Sequence, residues 1–446
     1  MDNPTHLLTR EETILKREIK SKTDFRISIY KEINVLDKLH AEWSELAEKS
    51  DQTICMSPEW METWWKHFGR HKRRSLFIIT VYDENKLIAI FPFYKGYTML
   101  GGKVIEQRLQ LIGSGGSPNE QFGFSDDYGI SDFLDFIVDP EYNESIADLF
   151  ISLLKSSDLS KHHITFHQVR EDSFIKQHLY TKLAAEFEVN LEHTDTCPYI
   201  DLEGIDSLKS FIKQCKSNAR RRFRQTLRAE GPDKDYEIER AQKPDDLAEM
   251  INKLIELHQN RWNDIGFPGA FNDERFIRFF KDLVFSAYQT NRLWFKQATD
   301  ESGICASRML LLYNGRYYDY MTGFDDNSPG AKRRPGIGLL LNLVEDALQQ
   351  SVQRVELLRG LEEYKLDFTD KTFKNYKITI PAIDQRFVGM GIPLMLVHAG
   401  SFLYKNIACE LELMKVQYKK SGLLKMFVGY FQFRKQSVIN KLKERG

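Results

Sequence analysis

One order of elements is written twice along this chain, and that duplication limits the available folds more than any other feature. From Ser75 the runs SLFIITVY and KLIAIFPFYKG flank a turn of Asp83, Glu84 and Asn85, which predicts a β-hairpin. A Gly/Ser-rich loop, LIGSGGSPNEQFGFSDDYG, follows; DFLDFIVD then predicts a strand, NESIADLFISLLKSS a helix and HHITFHQV another strand. In the second copy RLWFKQA and ICASRMLLLY flank a turn from Thr299 to Gly303, and the hairpin signal Asn314-Gly315 leads into RYYDYMTGFDD. The run RRPGIGLLLNLVEDALQQ supplies a helix and RVELLRG a strand. A meander followed by strand, helix and strand thus recurs, which predicts an α/β chain of two tandem domains with mixed, largely antiparallel sheets flanked by helices. Between the sheets lies a helix-rich segment from Ser207 to Tyr288. Boundaries are expected at 26–195, 196–380 and 381–446, the last a helical, basic extension.

The 446 residues are enough for two or three domains at roughly 150 residues each. The 63 lysines and arginines nearly balance 64 aspartates and glutamates, so overall charge recruits neither nucleic acid nor membrane, and any electrostatic partner must meet a local patch. Cys55, Cys197, Cys215, Cys305 and Cys409 are scattered, without a CxxC or zinc spacing, which fits a reducing cytoplasm. His163 and His167 share a strand face but lack a third ligand at a suitable spacing, so a structural role and no metal are expected. The polar opening MDNPTHLLTREETILKREIK lacks the apolar core of a signal peptide. Phe387 to Tyr404, the longest uncharged run, is interrupted by Gly389, Gly391, Pro393, His398 and Gly400 and reads as a buried or surface-associated segment.

Arg333-Arg334-Pro335-Gly336-Ile337-Gly338 follows a strand and opens a helix. Glycines there leave backbone N–H groups unobstructed, and a helix N-terminus adds unpaired donors and partial positive charge, which suits phosphate or pyrophosphate. Lys332 adds charge of the same sign. The plain alternative is a Gly-Pro loop that merely enters a helix.

With the meander before it and the strand after it, this turn resembles the GNAT superfamily of acyl-CoA N-acyltransferases, in which an Arg/Gln-x-x-Gly-x-Gly/Ala turn holds the coenzyme A pyrophosphate. The run VELLRGLEEYKLDF narrows the resemblance to a bacterial acetyltransferase type associated with cellulose biosynthesis, whose Arg-Gly-x-Glu-x-Tyr-Lys signature falls on Arg359, Gly360, Glu362, Tyr364 and Lys365. SPEWMETWW, AIFPFYK, LIGSGG with SDDYG, and LHQNRW extend it over most of residues 40 to 380. The two-domain layout is also similar to FemABX-like aminoacyl transferases. The resemblance implies acetyl-CoA or another acyl-CoA as co-substrate, held by Arg333, Arg334, Gly336, Ile337 and Gly338. One departure is the extra Ala331-Lys332-Arg333-Arg334 ahead of Pro335, which makes the loop longer and more basic. At the matching junction of the first copy, Asp139, Glu141 and Glu144 would repel a pyrophosphate. The first domain is therefore expected to shape the acceptor site rather than bind coenzyme A.

Acyl transfer to an amine needs a neutral amine, donors for the carbonyl oxyanion and an acid for the departing thiolate. The strand Tyr317 to Gly323 is expected to supply backbone donors, Asp319 the base and Tyr364 the acid, with Glu362 orienting the amine. His258 and Trp262, four apart on a helix, are expected to line the acceptor pocket together with Arg359 and Lys365. The plainer roles are a paired or solvated Asp319, a packed Tyr364, a surface ion pair for Glu362 and a structural histidine.

KQCKSNARRRFRQTLR carries Lys213, Lys216, Arg220, Arg221, Arg222, Arg224 and Arg228 without an acid, a candidate anion-binding surface when not simply a solvated face. Lys415, Lys419, Lys420, Lys425, Arg434, Lys435, Lys441, Lys443 and Arg445 make the tail a basic amphipathic segment, either packed on the domain or touching a membrane surface. The leading expectation is an N-acyltransferase, cytoplasmic or peripheral at the inner membrane face, that acts on an amine such as an amino sugar or cell-envelope precursor. The alternatives are an aminoacyl-tRNA-dependent FemABX-like transferase and a non-catalytic binding module of the same fold. No RNA-recognition motif accompanies the arginines, so nucleic acid is not the expected partner.

Overall fold

The computed structural model describes residues 25–383 except 71–72, 101–102, 116–128, 157, 241–243 and 265–268. The expected basic tail beyond residue 383, Cys409 and most of the Gly/Ser loop therefore lie outside the described residues. The first half runs β1 (Arg26–Tyr30), α1 (Val35–Lys49), α2 (Pro58–Trp64), β2 (Arg74–Asp83), β3 (Lys86–Leu100), β4 (Lys103–Leu111), β5 (Ile137–Val138), α3 (Asn143–Ser156), β6 (His163–Arg170), α4 (Tyr180–Glu186) and β7 (Asn190–Asp201). The second runs α5 (Leu208–Gln214), α6 (Ser217–Arg228), β8 (Glu237–Arg240), α7 (Pro244–Asp264), α8 (Glu274–Gln289), β9 (Leu293–Asp300), β10 (Gly303–Tyr313), β11 (Arg316–Phe324), α9 (Pro335–Gln349), β12 (Arg354–Glu356), α10 (Glu363–Phe368) and β13 (Thr372–Ile380).

The duplication is real in space. β2, β3 and β4 form an antiparallel meander and β4 pairs in parallel with β6; β9, β10 and β11 repeat the meander and β11 pairs in parallel with β12. The expected mixed, largely antiparallel α/β architecture is thus present. The two sheets are continuous: the strands run β1-β2-β3-β4-β6-β13-β7-β12-β11-β10-β9-β8. β13, last in the described chain, pairs with β6 of the first half, while β7 pairs with both β13 and β12. The expected boundary between residues 195 and 196 falls inside β7.

Sequence and structure part at DFLDFIVD, where only Ile137–Val138 is strand. Phe133 takes a left-handed φ of 58°, and the Asp135 carboxylate turns away to accept from the N–H groups of Phe174 (2.7 Å) and Ile175 (2.9 Å). A residue with positive φ breaks the pleat, so the strand starts only beyond Phe133. The first core gathers Phe91, Phe93, Phe136, Phe150 and Phe166, all fully buried. It continues across the halves, for Trp60 of α2 meets Phe279 of α8 at 5.4 Å and Tyr320 of β11 at 5.3 Å, both edge-on.

Candidate active site

The cleft exists because β11 and β12 part company. They pair only from Arg316↔Arg354 to Tyr318↔Glu356, after which β11 continues to Phe324 while the other strand ends. Leu358 (φ 57°) and Gly360 (φ 99°) turn the departing chain away. The β10 register steps from Met309↔Met321 to Leu310↔Asp319, so Tyr320 is an extra residue, a bulge that re-aims its neighbours. Into the gap opens a cavity of about 600 Å³, walled by β11, the start of α9, the loop after β12, α7 and, from the first half, Gly129, Ile130 and Asp132.

Most of the residues singled out from the sequence meet in this cavity. Asp319, Glu362, Tyr364, Arg334, Gly336, Ile337, His258, Trp262, Arg359 and Lys365 all line it. Arg333 and Gly338 do not. The Arg333 Nε lies 3.2 Å from Asp235 on the surface, and a Cβ at Gly338 would stand 2.2 Å from the Tyr236 hydroxyl. Gly338 therefore admits Tyr236 to the core of the second half, and its role is packing. At Gly336 a Cβ would approach only Phe324, at 3.9 Å, so that backbone faces open space.

The turn is poorer in free donors than its glycines suggest. Arg334 is left-handed (φ 59°, ψ 59°), and its carbonyl accepts from both Ile337 (2.9 Å) and Gly338 (3.1 Å). With Pro335 lacking an N–H, Gly336 is left as the first-turn donor without a backbone acceptor among the described residues. One open N–H, the helix end and the exposed Arg334 remain to meet an anion. The first copy offers the reverse. Asp139 itself caps the turn ahead of α3, bonding the Glu141 N–H, and is held by Lys49 and Lys86 at 2.8 Å each.

The chemistry-bearing side chains are coupled. The Arg308 Nη1 lies 2.7 Å from Asp319 Oδ2, both residues being buried. Burial raises the Asp319 pKa, opposed by the charges of Arg308 and Lys365. Arg308 stands 5.8 Å above the Tyr364 ring. Burial also raises the Tyr364 phenol, so it keeps its proton at neutral pH. Glu362 stands at the N-cap position of α10 without a side-chain capping bond, and its carboxylate lies 2.9 Å from Lys365 Nζ. Lys365, itself buried, also donates to the carbonyls of Arg359 (2.6 Å) and Gly360 (3.4 Å). Arg359 reaches into the first half, its Nε 2.6 Å from Asp132 Oδ1. The charged ends of Arg359 and Lys365 are thus engaged by protein groups while both residues line the cavity.

His258 accepts from Trp262 Nε1 at 3.0 Å. Its pKa is lowered to about 4 by burial first and the charge of Arg261 second, so the ring is neutral at physiological pH. The α7 backbone comes this close to β11 because position 323 is glycine, where a Cβ would lie 2.7 Å from the backbone nitrogen of His258. Arg308 and Asp132 were missed from the sequence. A lone arginine within the apolar run ICASRMLLLY was a signal for the first; nothing in SDFLDF marked Asp132.

On the far face of α9 packs α6, whose Arg221, Arg224 and Arg228, with Lys213 and Lys216 nearby, are exposed. Among the described residues none of these five has a carboxylate at ion-pair distance; Arg222 pairs with Asp367. Among the described residues there is no cluster of His, Cys, Asp or Glu that could hold a metal, and no helix long and apolar enough to cross a membrane.

The cleft thus combines a splayed strand pair, a helix N-terminus at its mouth and a buried Arg308–Asp319 pair inside. In comparison with known families, residues 217–366 match the family described as acetyltransferase (GNAT) domain. No curated protein matches the sequence. A crystal structure of FemX is similar with a TM-score of 0.54 at 10% identity, over 78% of this chain and 97% of that one. The C-terminal domain of a putative lysylphosphatidylglycerol synthetase from Agrobacterium fabrum gives 0.45 at 11% identity, over 81% and 97%. A tandem GNAT protein from the clavulanic acid biosynthesis pathway gives 0.37 at 11%, over 79% and 98%. At 10% identity the likeness to FemX is one of fold.

Proposed function

We propose that this cleft transfers an acyl group, acetyl in the simplest case, from coenzyme A to an amine acceptor. The observation that carries the reading is the opening between β11 and β12 with the α9 N-terminus at its mouth, which leaves the backbone edge of Asp319 to Phe324 without a partner strand on that side among the described residues. The thioester supplies the activated acyl carbon. Gly336 N–H, Arg334 and the end of α9 suit its phosphates, and the free edge of β11 suits the carbonyl oxygen as charge develops there. Asp319, less acidic for its burial, takes the amine proton directly or through one water, while Arg308 steadies its charge. Tyr364, protonated at neutral pH, gives its proton to the departing sulfur.

The chain is read as two units, 26–195 and 196–380, joined through β7 and β13, with the first supplying an acceptor wall and no cofactor turn. Amino sugars and cell-envelope precursors are the acceptors this reading favours, handled in the cytoplasm or at the inner membrane face. Isothermal calorimetry tests it: acetyl-CoA binds the wild-type chain and not Gly336→Asp. Absence of binding to the wild type, or binding that the substitution leaves unchanged, would overturn it.

A second reading, a FemABX-like transfer from aminoacyl-tRNA, is favoured by the five exposed cations along and between α5 and α6, which have no carboxylate partner among the described residues, and by the fold shared with FemX. It requires RNA for turnover, so full activity after ribonuclease treatment rules it out.

A further inference from the structure

We propose that Asp132 and Arg359 form a latch that makes the first half of the chain a working wall of the cleft, with Asp132 a positioning residue for the acceptor; this rests on reading the cleft as an acyl-transfer site. The segment Gly129 to Asp132 is pinned residue by residue. Gly129 O accepts from Arg359 Nη2 at 3.2 Å, and Ile130 O from the Tyr320 hydroxyl at 3.2 Å. Ser131 Oγ accepts from Trp60 Nε1 at 2.9 Å, and Asp132 Oδ1 meets Arg359 Nε at 2.6 Å. Three of the four ties come from the second half, and Tyr320 is the bulge residue beside Asp319.

Arg359 is held for this task. Leu358 and Gly360 on either side take left-handed backbone, and the Arg359 carbonyl accepts from buried Lys365. The Arg-Gly-x-Glu-x-Tyr-Lys run is therefore a self-bracing loop whose arginine is aimed at the other half. The segment is also tight at its root. Ile130 N–H bonds Gly115 O at 3.1 Å, and a Cβ at Gly129 would stand 2.4 Å from that same oxygen. Gly129, Ile130 and Asp132 all line the cleft and are tied to Arg359 and Tyr320, not to the Arg334–Gly336 turn, so displacing them reshapes the wall given by the first half and leaves that turn's own bonds in place. A latch in this position governs the acceptor and not coenzyme A.

Hydrogen exchange, calorimetry and steady-state kinetics on the full chain test it, with D-glucosamine, putrescine and glycyl-lysine as probe amines. In Asp132→Asn, exchange over residues 129–134 should rise at least about tenfold while α9 and β10 stay within about twofold. KM for the best probe amine should rise at least about tenfold, with kcat and the acetyl-CoA Kd nearly unchanged. Tyr320→Phe, which deletes only the bond to Ile130, should move the same quantities in the same direction by less, and it serves should the first variant fail to fold. Unchanged exchange over 129–134, or a Kd for acetyl-CoA that moves with KM, would overturn the latch. Should the wild type bind no acetyl-CoA, the acyl-transfer reading fails while the exchange result still decides whether the two halves are latched.

Discussion

Arg308 and Asp319 face each other across adjacent strands, guanidinium to carboxylate at 2.7 Å, both nearly closed to solvent beneath the cleft. Removing the charge of one partner of such a buried pair leaves the other uncompensated, and Asp319→Asn does this to Arg308 while keeping the packing. Asp319→Asn is therefore expected to lower kcat by about a hundredfold or more while the acetyl-CoA Kd holds. Arg308→Met should cost about 3–5 kcal/mol of stability, read by urea denaturation. A kcat within about threefold of wild type in Asp319→Asn would remove Asp319 as the base.

Tyr364 supplies a proton only while its phenol stays protonated, a condition its burial secures. Tyr364→Phe should reduce kcat by about two orders of magnitude, with little change in KM, because the packed ring is retained. Single-turnover measurement of thiol release separates this effect from product dissociation.

The two glycines of the α9 turn should respond in opposite ways. Gly338→Ala forces a Cβ against Tyr236, an overpacking worth about 1–3 kcal/mol, and lowers the thermal midpoint without a selective loss of ligand. Gly336→Ala has room, so stability should hold within about 0.5 kcal/mol while acetyl-CoA affinity falls. Calorimetry and thermal melts on the same two proteins check the pair.

Asp135 gives the first half a pH dependence. Burial pushes its pKa up to about 7 against the lowering effect of the Ile175 and Phe174 N–H groups. A carboxyl with a raised folded pKa binds its proton more tightly when folded. Its contribution is thus complete below the unfolded value of about 3.9 and is lost as pH rises through about 7. The wild-type thermal midpoint should accordingly fall between about pH 5 and pH 8 relative to Asp135→Asn. A difference independent of pH would show that Asp135 titrates normally.

What the sequence determined by itself was local. The β2–β3 hairpin about Glu84, the second meander turning at Asn314-Gly315, and α9 opening at Pro335 are each specified by neighbouring residues, through alternation, turn chemistry and the fixed φ of proline. The RG-x-E-x-YK run and Asp319 could be placed beside the same cleft because each follows directly from one of those elements. Tertiary structure decided the rest. β7 carries Pro198 and a polar run from Glu192 to Thr196, so no alternation announces a strand; it forms because β13 and β12 pair with it on either side. Which glycine faces solvent and which faces Tyr236, and whether Arg359 meets a substrate or Asp132, depend on partners distant in sequence. Periodicity and capping report the short-range terms of folding, while burial and charge pairing are set by what long-range contacts bring within a few ångströms.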